Sequence, residues 1–205
     1  MPRPLLIRSE SHPYHVTARC NNKDFFPLPL DDVWNVMHDE IEYAAKKYFL
    51  CVHAFVLMGN HFHLLCHTPR KNLDEIMHSL MRRTSQKIKM KAGQINHLWG
   101  GPYNWSLIRS QAHYYQVYRY IYQNPLRANL VSRVEDYPYS TLSEVRFPIH
   151  TFIPMAFAGR VGELLWLNER YRDDEGELIK KGLRKGEFDI NMKKQNMFLK
   201  LSRPP

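Results

Sequence analysis

The chain has 205 residues, 44% of them hydrophobic, which is enough for a real core and excludes a disordered protein. A formal charge of +9 with 12 Tyr, 10 Phe and 4 Trp points to a polyanionic partner that offers stacking as well as charge, so single-stranded nucleic acid is favoured over lipid. Cys20, Cys51 and Cys66 lack disulfide-framework spacing, and there is neither a secretion signal nor an apolar run long enough to span a membrane; a cytoplasmic protein is expected.

Residues 14–20 alternate and are rich in β-branched and aromatic types, which predicts a first strand after Pro13 and before the Asn21-Asn22 turn. From Asp31 to Tyr48, Val33, Val36, Met37, Ile41 and Ala44 recur at helical spacing, with Asp31 and Asp32 as cap and favourable charge. A nearly continuous apolar run over 50–58 and a second over 61–66 are joined by Gly59-Asn60, as in a hairpin or bend. A second helix follows, signalled by Asn72 as cap, Glu75 and the stripe Leu73, Ile76, Met77, Leu80, Thr84 and Ile88. Its other face is basic. A breaker-rich loop at 99–103 leads to a fourth strand at 104–109, and Ser110 caps a third helix that Asn124-Pro125 ends.

The order β-α-β-β-α-β predicts an α+β fold of the ferredoxin-like type, an antiparallel sheet with two helices on one face, plus an additional tyrosine-bearing helix. Residues 1–142 form the expected main domain. Residues 143–205, with Pro148, Pro154, a helical stretch at 161–172 and a basic tail, are expected as a peripheral, mostly helical extension whose charges form a solvated face.

Period-two alternation puts His61 and His63 on one face of their strand while Phe62, Leu64 and Cys66 face the other way. Two imidazoles side by side are a costly use of core space unless they bind a metal, hold a proton or touch a ligand. The third helix carries five tyrosines within nine residues. Tyr114, Tyr118 and Tyr122 make one stripe, which a core accounts for; His113, Val117, Tyr120 and Asn124 make another, setting a phenol one turn from an amide that could be a third metal ligand.

The run Phe55-Val56-Leu57-Met58-Gly59-Asn60-His61-Phe62-His63-Leu64-Leu65, the helix Tyr118-Arg119-Tyr120-Ile121-Tyr122-Gln123-Asn124-Pro125-Leu126-Arg127-Ala128 and the start Pro13-Tyr14-His15-Val16-Thr17-Ala18-Arg19 together resemble the IS200-like single-tyrosine HUH transposases, in particular the REP-associated branch. Leu98-Trp99-Gly100 and Tyr137-Pro138-Tyr139-Ser140-Thr141 look like further segments of that family. The resemblance implies a nuclease that binds single-stranded or hairpin DNA, with His61 and His63 as metal ligands, Tyr120 as nucleophile and Asn124 as third ligand. Gln123 is the substitute ligand if the last helical turn unwinds before Pro125. It implies Mg2+ or Mn2+ as cofactor, with Zn2+ the alternative that imidazoles also suit, a 5′-phosphotyrosine product with a free 3′-hydroxyl, and a homodimer.

Gly59 stands where the family usually has proline, and Pro102 and Asn104 replace positions that are commonly basic. Arg19 on the first strand, and Arg82, Arg83, Lys87 and Lys89 on the second helix, are candidate DNA contacts. His15, His53 and His67 could also face the site, although Cys51, His53, Cys66 and His67 offer a competing structural zinc cluster. A catalytically inactive DNA-binding protein on the same fold is the alternative function; an RNA-binding module ranks below it because the expected aromatic strand motif is missing.

Overall fold

The computed structural model describes residues 5–143 and 159–190. Its centre is a four-stranded antiparallel sheet of β1 (Tyr14–Arg19), β2 (Cys51–Met58), β3 (His61–His67) and β4 (Asn104–Leu107), in the order β2-β3-β1-β4. This is the expected ferredoxin-like arrangement. Alternation along β1 and β3 sends Tyr14, Val16, Ala18, Phe62, Leu64 and Cys66 into one layer, where α1 (Leu30–Tyr48) and α2 (Leu73–Ala92) cover them. Each buried Phe or Leu here contributes about 1.5–3 kcal/mol.

Helix α1 begins after Pro29 with Asp31 and Asp32 in its first turn. Asn72 does hold the N-cap position of α2, but its side chain makes no cap; its Nδ2 donates instead to the Tyr48 carbonyl at the end of α1. The two helices are tied further by Glu40, which is 1% exposed and binds both Arg83 and Lys87.

The second face of the sheet is covered by α3 (Gln111–Tyr122), whose cap forms as expected, with Ser110 Oγ accepting from the His113 N–H at 3.2 Å. The chain then continues as the short α4 (Asn124–Arg127). A β-bulge between Val52 and Ala54 shifts the alternation of β2, so that Val52 joins the first core while Ala54, Val56 and Met58 join the second.

The extension differs from its expected peripheral role. In its described part, α5 (Gly159–Asn168) and α6 (Asp173–Gly182) bury Trp166, Leu167, Tyr171, Ile179, Leu183 and Phe188 in the same core as α3. The physical reason is α3 itself, which is apolar or aromatic on nearly every side and needs cover beyond one sheet face. The segment around Gly186 and Phe188 also bonds to Leu107, covering the β4 edge, while residues 139–141 cover the β2 edge through Leu57 N–H to Tyr139 O and Thr141 N–H to Phe55 O, both 2.9 Å. Pro148 and Pro154 lie outside the described residues.

Candidate active site

A cleft of about 630 Å³ opens on the α3 side of the sheet, lined by His61 and His63 from β3, His15 and Arg19 from β1, and Tyr120, Asn124 and Arg127 from α3 and α4. The hairpin tip that carries the histidines is held from below. The Cys20 N–H bonds to Asn60 O at 2.9 Å, the Phe26 N–H to Gly59 O at 3.0 Å, and Asn60 Nδ2 to Lys23 O at 2.7 Å. A Cβ at Gly59 would meet only the ring of Phe25, at 2.9 Å, and that ring is 80% exposed.

The two rings stand nearly perpendicular, with centroids 5.0 Å apart. His61 Nδ1 lies 2.7 Å from Asn60 Oδ1 and His63 Nδ1 lies 2.9 Å from His15 Nε2. Asn60 Oδ1 can only accept, so His61 carries its proton on Nδ1 and presents a bare Nε2. His63 does the same when His15 accepts from it. Burial, then the charge of Arg19, pushes His61 down to about 4, and burial alone takes His15 to about 3. Burial and the neighbouring cations hold His63 well below the usual value. All three are therefore neutral at pH 7, the form that ligates a metal.

Tyr120 meets His63 edge-on, with centroids 5.9 Å apart, and the Arg127 guanidinium lies 5.5 Å from the Tyr120 ring centroid. Burial raises the Tyr120 phenol, while the charge and hydrogen bond of Arg127 pull it back. Its rivals on the helix are engaged elsewhere: the Tyr118 hydroxyl donates to Glu163 at 2.7 Å and the Tyr122 hydroxyl meets Thr141 Oγ1 at 2.8 Å.

The end of α3 decides between Asn124 and Gln123. The turn does not unwind, since Gln123 N–H bonds to Arg119 O at 3.0 Å and Arg127 N–H to Gln123 O at 2.9 Å. Asn124 thus stays one turn below Tyr120. Pro125 has no N–H for the Ile121 carbonyl, and Asn124 Nδ2 supplies one at 3.2 Å while also donating to Tyr120 O at 2.9 Å. With Nδ2 committed to the helix, Oδ1 is the amide atom left for the cleft. Gln123 is corrected as a substitute ligand: it is 1% exposed, its Nε2 donates to the Leu167 and Glu169 carbonyls, and its Oε1 accepts from Tyr171 N–H.

Among the described residues, no group of three or more His, Cys, Asp or Glu is placed to hold a metal. His61, His63 and Asn124 line the same cleft, and two neutral imidazoles with one amide are a donor set whose chemistry suits a divalent ion with open positions for phosphate and water. The competing zinc cluster is not formed, because Cys66 faces α1 and α2 while His53 turns to α3 and meets the Tyr114 hydroxyl at 2.9 Å.

Of the expected DNA contacts, Arg19 is exposed at the cleft. Arg82, Arg83, Lys87 and Lys89 ride on α2, across the sheet from it. Arg83 and Lys87 are bound to Glu40, at 3.3 Å from Arg83 Nη2 and 2.7 Å from Lys87 Nζ. Three cleft cations were not anticipated: Arg127, Lys180 and Arg184. Arg127 carried a legible signal, since Tyr120, Asn124 and Arg127 follow the spacing i, i+4, i+7 of one helical face.

The family profile "Transposase IS200 like" matches residues 8–124. That is more than half of the chain, and the chain belongs to the IS200-like transposase family. Among solved structures it is similar to the REP-associated tyrosine transposase bound to a REP hairpin, with a TM-score of 0.60 and 18% identity over 78% of this chain and 93% of that chain. The two share a fold. A candidate transposase from Deinococcus radiodurans R1 aligns with a TM-score of 0.40 and 18% identity over 59% of this chain and 94% of that one. A search of curated proteins finds no match. The protein is thus an enzyme of the transposase class, and none of its described helices is long and apolar enough to cross a membrane.

Proposed function

We propose that the chain is a metal-dependent, single-stranded DNA endonuclease and strand transferase that cuts by attack of Tyr120. The observation that carries this reading is the convergence, in one cleft, of two imidazoles turned with Nε2 outward and a tyrosine packed against one of them.

In this reading His61, His63 and Asn124 Oδ1 hold Mg2+ or Mn2+, with Zn2+ the alternative. An ion held there would supply Lewis-acid polarisation of the scissile phosphate and offset charge on its oxygens. Tyr120 Oη forms a bond to phosphorus, the bond from phosphorus to the 3′ oxygen breaks, and the phenol proton ends on the departing 3′-hydroxyl. The products are a 5′-phosphotyrosine and a free 3′ end. Arg127, beside Tyr120, favours the charged phenolate, and Arg19 meets the strand on the opposite wall. The hairpin DNA bound by the REP-associated relative suggests the substrate class, a single strand at the foot of a hairpin.

Tyr120 and His63 belong to one chain, so this reading needs no second copy for cleavage. A homodimer would serve the joining of two ends. Arg82 and Lys89 remain candidate contacts for a duplex that wraps beyond the cleft.

The test is incubation of the protein and Mg2+ or Mn2+ with labelled hairpin DNA from the flanks of its own gene, followed by denaturing electrophoresis. A covalent adduct that Tyr120→Phe and His61→Ala both abolish is the expected result. Binding of those hairpins without any adduct would instead establish the inactive DNA-binding protein.

A further inference from the structure

The structure assigns to α6 a phosphodiester-binding subsite of the cleft, in which Lys180 and Arg184, together with Arg127, hold a substrate-strand phosphate flanking the one that Tyr120 attacks. The inference rests on the nuclease reading for its orientation only. Lys180, Leu183 and Arg184 form one wall of the cleft whose other walls carry His61, His63 and Tyr120. Three cations from two distant parts of the chain therefore face a space beside the candidate nucleophile.

The wall is built around Arg127. A Cβ at Gly176 would lie 2.6 Å from the Arg127 Cζ, so the absence of a side chain lets α6 rest directly on the guanidinium. Glu177 then takes one Arg127 nitrogen at 3.3 Å and Lys180 Nζ at 3.0 Å. A single carboxylate shared by two cations leaves the group with net positive charge. Arg184, which is exposed, adds to it and has no ion-pair partner among the described residues. Glu177 occupies the place of an anion. A phosphate is the ligand that suits a guanidinium, an ammonium and a second guanidinium converging on an open cleft, and a basic groove that follows the backbone is how single strands are bound without regard to sequence.

The experiment uses the full chain carrying Tyr120→Phe, which cannot form an adduct, and a mixed-sequence single-stranded oligonucleotide titrated over a salt series. Lys180→Ala with Arg184→Ala should lower the magnitude of the slope of log affinity against log salt by about 0.7, the value for the one phosphate that the subsite neutralises. Lys46→Ala with Lys47→Ala on α1, across the sheet, should leave the slope unchanged, and Glu177→Gln should tighten binding. A slope unaltered by the α6 pair, an equal change in the α1 pair, or no oligonucleotide binding by the parent overturns the subsite. Because the binding assay needs no cleavage, a wild-type protein that forms no adduct while its α6 slope effect persists would overturn the nuclease reading alone.

Discussion

His15 Nε2 sits 2.9 Å from His63 Nδ1, on the diagonal of the β1–β3 ladder in which Thr17 is the residue directly opposite His63. If His15 accepts the Nδ1 proton, His63 is fixed in the tautomer whose Nε2 is bare, and the ring cannot turn away. His15→Ala should therefore raise the Mg2+ or Mn2+ needed for half-maximal adduct formation by about 10- to 100-fold. His15→Gln, which retains an acceptor, should recover part of it. An unchanged metal dependence in His15→Ala would separate the two histidines functionally.

The three deep tyrosines of α3 should separate cleanly. Tyr118→Phe removes the hydrogen bond to Glu163 and Tyr122→Phe the one to Thr141, each at a cost of about 1 kcal/mol in denaturant unfolding, with the adduct retained. Tyr120→Phe should lose the adduct and retain stability. Loss of the adduct in Tyr118→Phe at wild-type stability would move the nucleophile.

Glu40 gives a pH prediction far from the cleft. Burial pushes its carboxyl up, but hydrogen bonds and charges from Arg83 and Lys87 outweigh burial and leave it below its usual 4.5. A carboxyl depressed on folding stabilises the fold above its unfolded pKa and loses that contribution as pH falls through the folded value. Glu40→Gln should cost about 2 kcal/mol at pH 7, and the gap to wild type should close as pH drops below about 4.5. Urea unfolding at a series of pH values checks this; a gap that stays constant is the contrary result. Arg83→Ala and Lys87→Ala should act on stability in the same way, with little effect on DNA cleavage.

Gly176→Ala offers the opposite dissociation. The new methyl meets the mobile end of Arg127 rather than backbone, so α6 survives and even gains helix propensity, while the guanidinium is pushed off its place beside Tyr120. Thermal unfolding should stay within about 1 kcal/mol of wild type and adduct formation should fall about tenfold or more. Equal activity would show that Arg127 can serve the cleft from another position.

The sheet and the histidine pair were legible in the sequence because period-two alternation is local: His61 and His63 need only each other to reveal their shared face. The same holds for Tyr120 and Asn124 on their helix. What the pattern could not show depends on partners far along the chain. Arg83 and Lys87 look like a free basic face until α1 brings Glu40 to them. Gln123 and Asn124 are equivalent amides until the helix is seen to run on through Pro125. The bulge between Val52 and Ala54 carries no sequence mark, and it turns His53 away from Cys66. Lys180 and Arg184 sit in a charged stretch whose fraction of acids suggested a solvated face, whereas the apolar residues immediately before them, Ile179 and Leu183, hold α6 against α3.

The cleft joins β1 to α6, which follows it by more than 150 residues, and Glu177 follows Arg127 by 50 residues. At about 5–20 residues per second of synthesis, roughly 3 to 10 s separate the appearance of these two partners at the ribosome. A nascent chain that already carries the histidines and Tyr120 still lacks one wall of the groove and the cover of its β4 edge. Translation itself therefore times the completion of the cleft, and a message truncated before α6 would release a transposase sequence whose cleft lacks the wall of Lys180, Leu183 and Arg184.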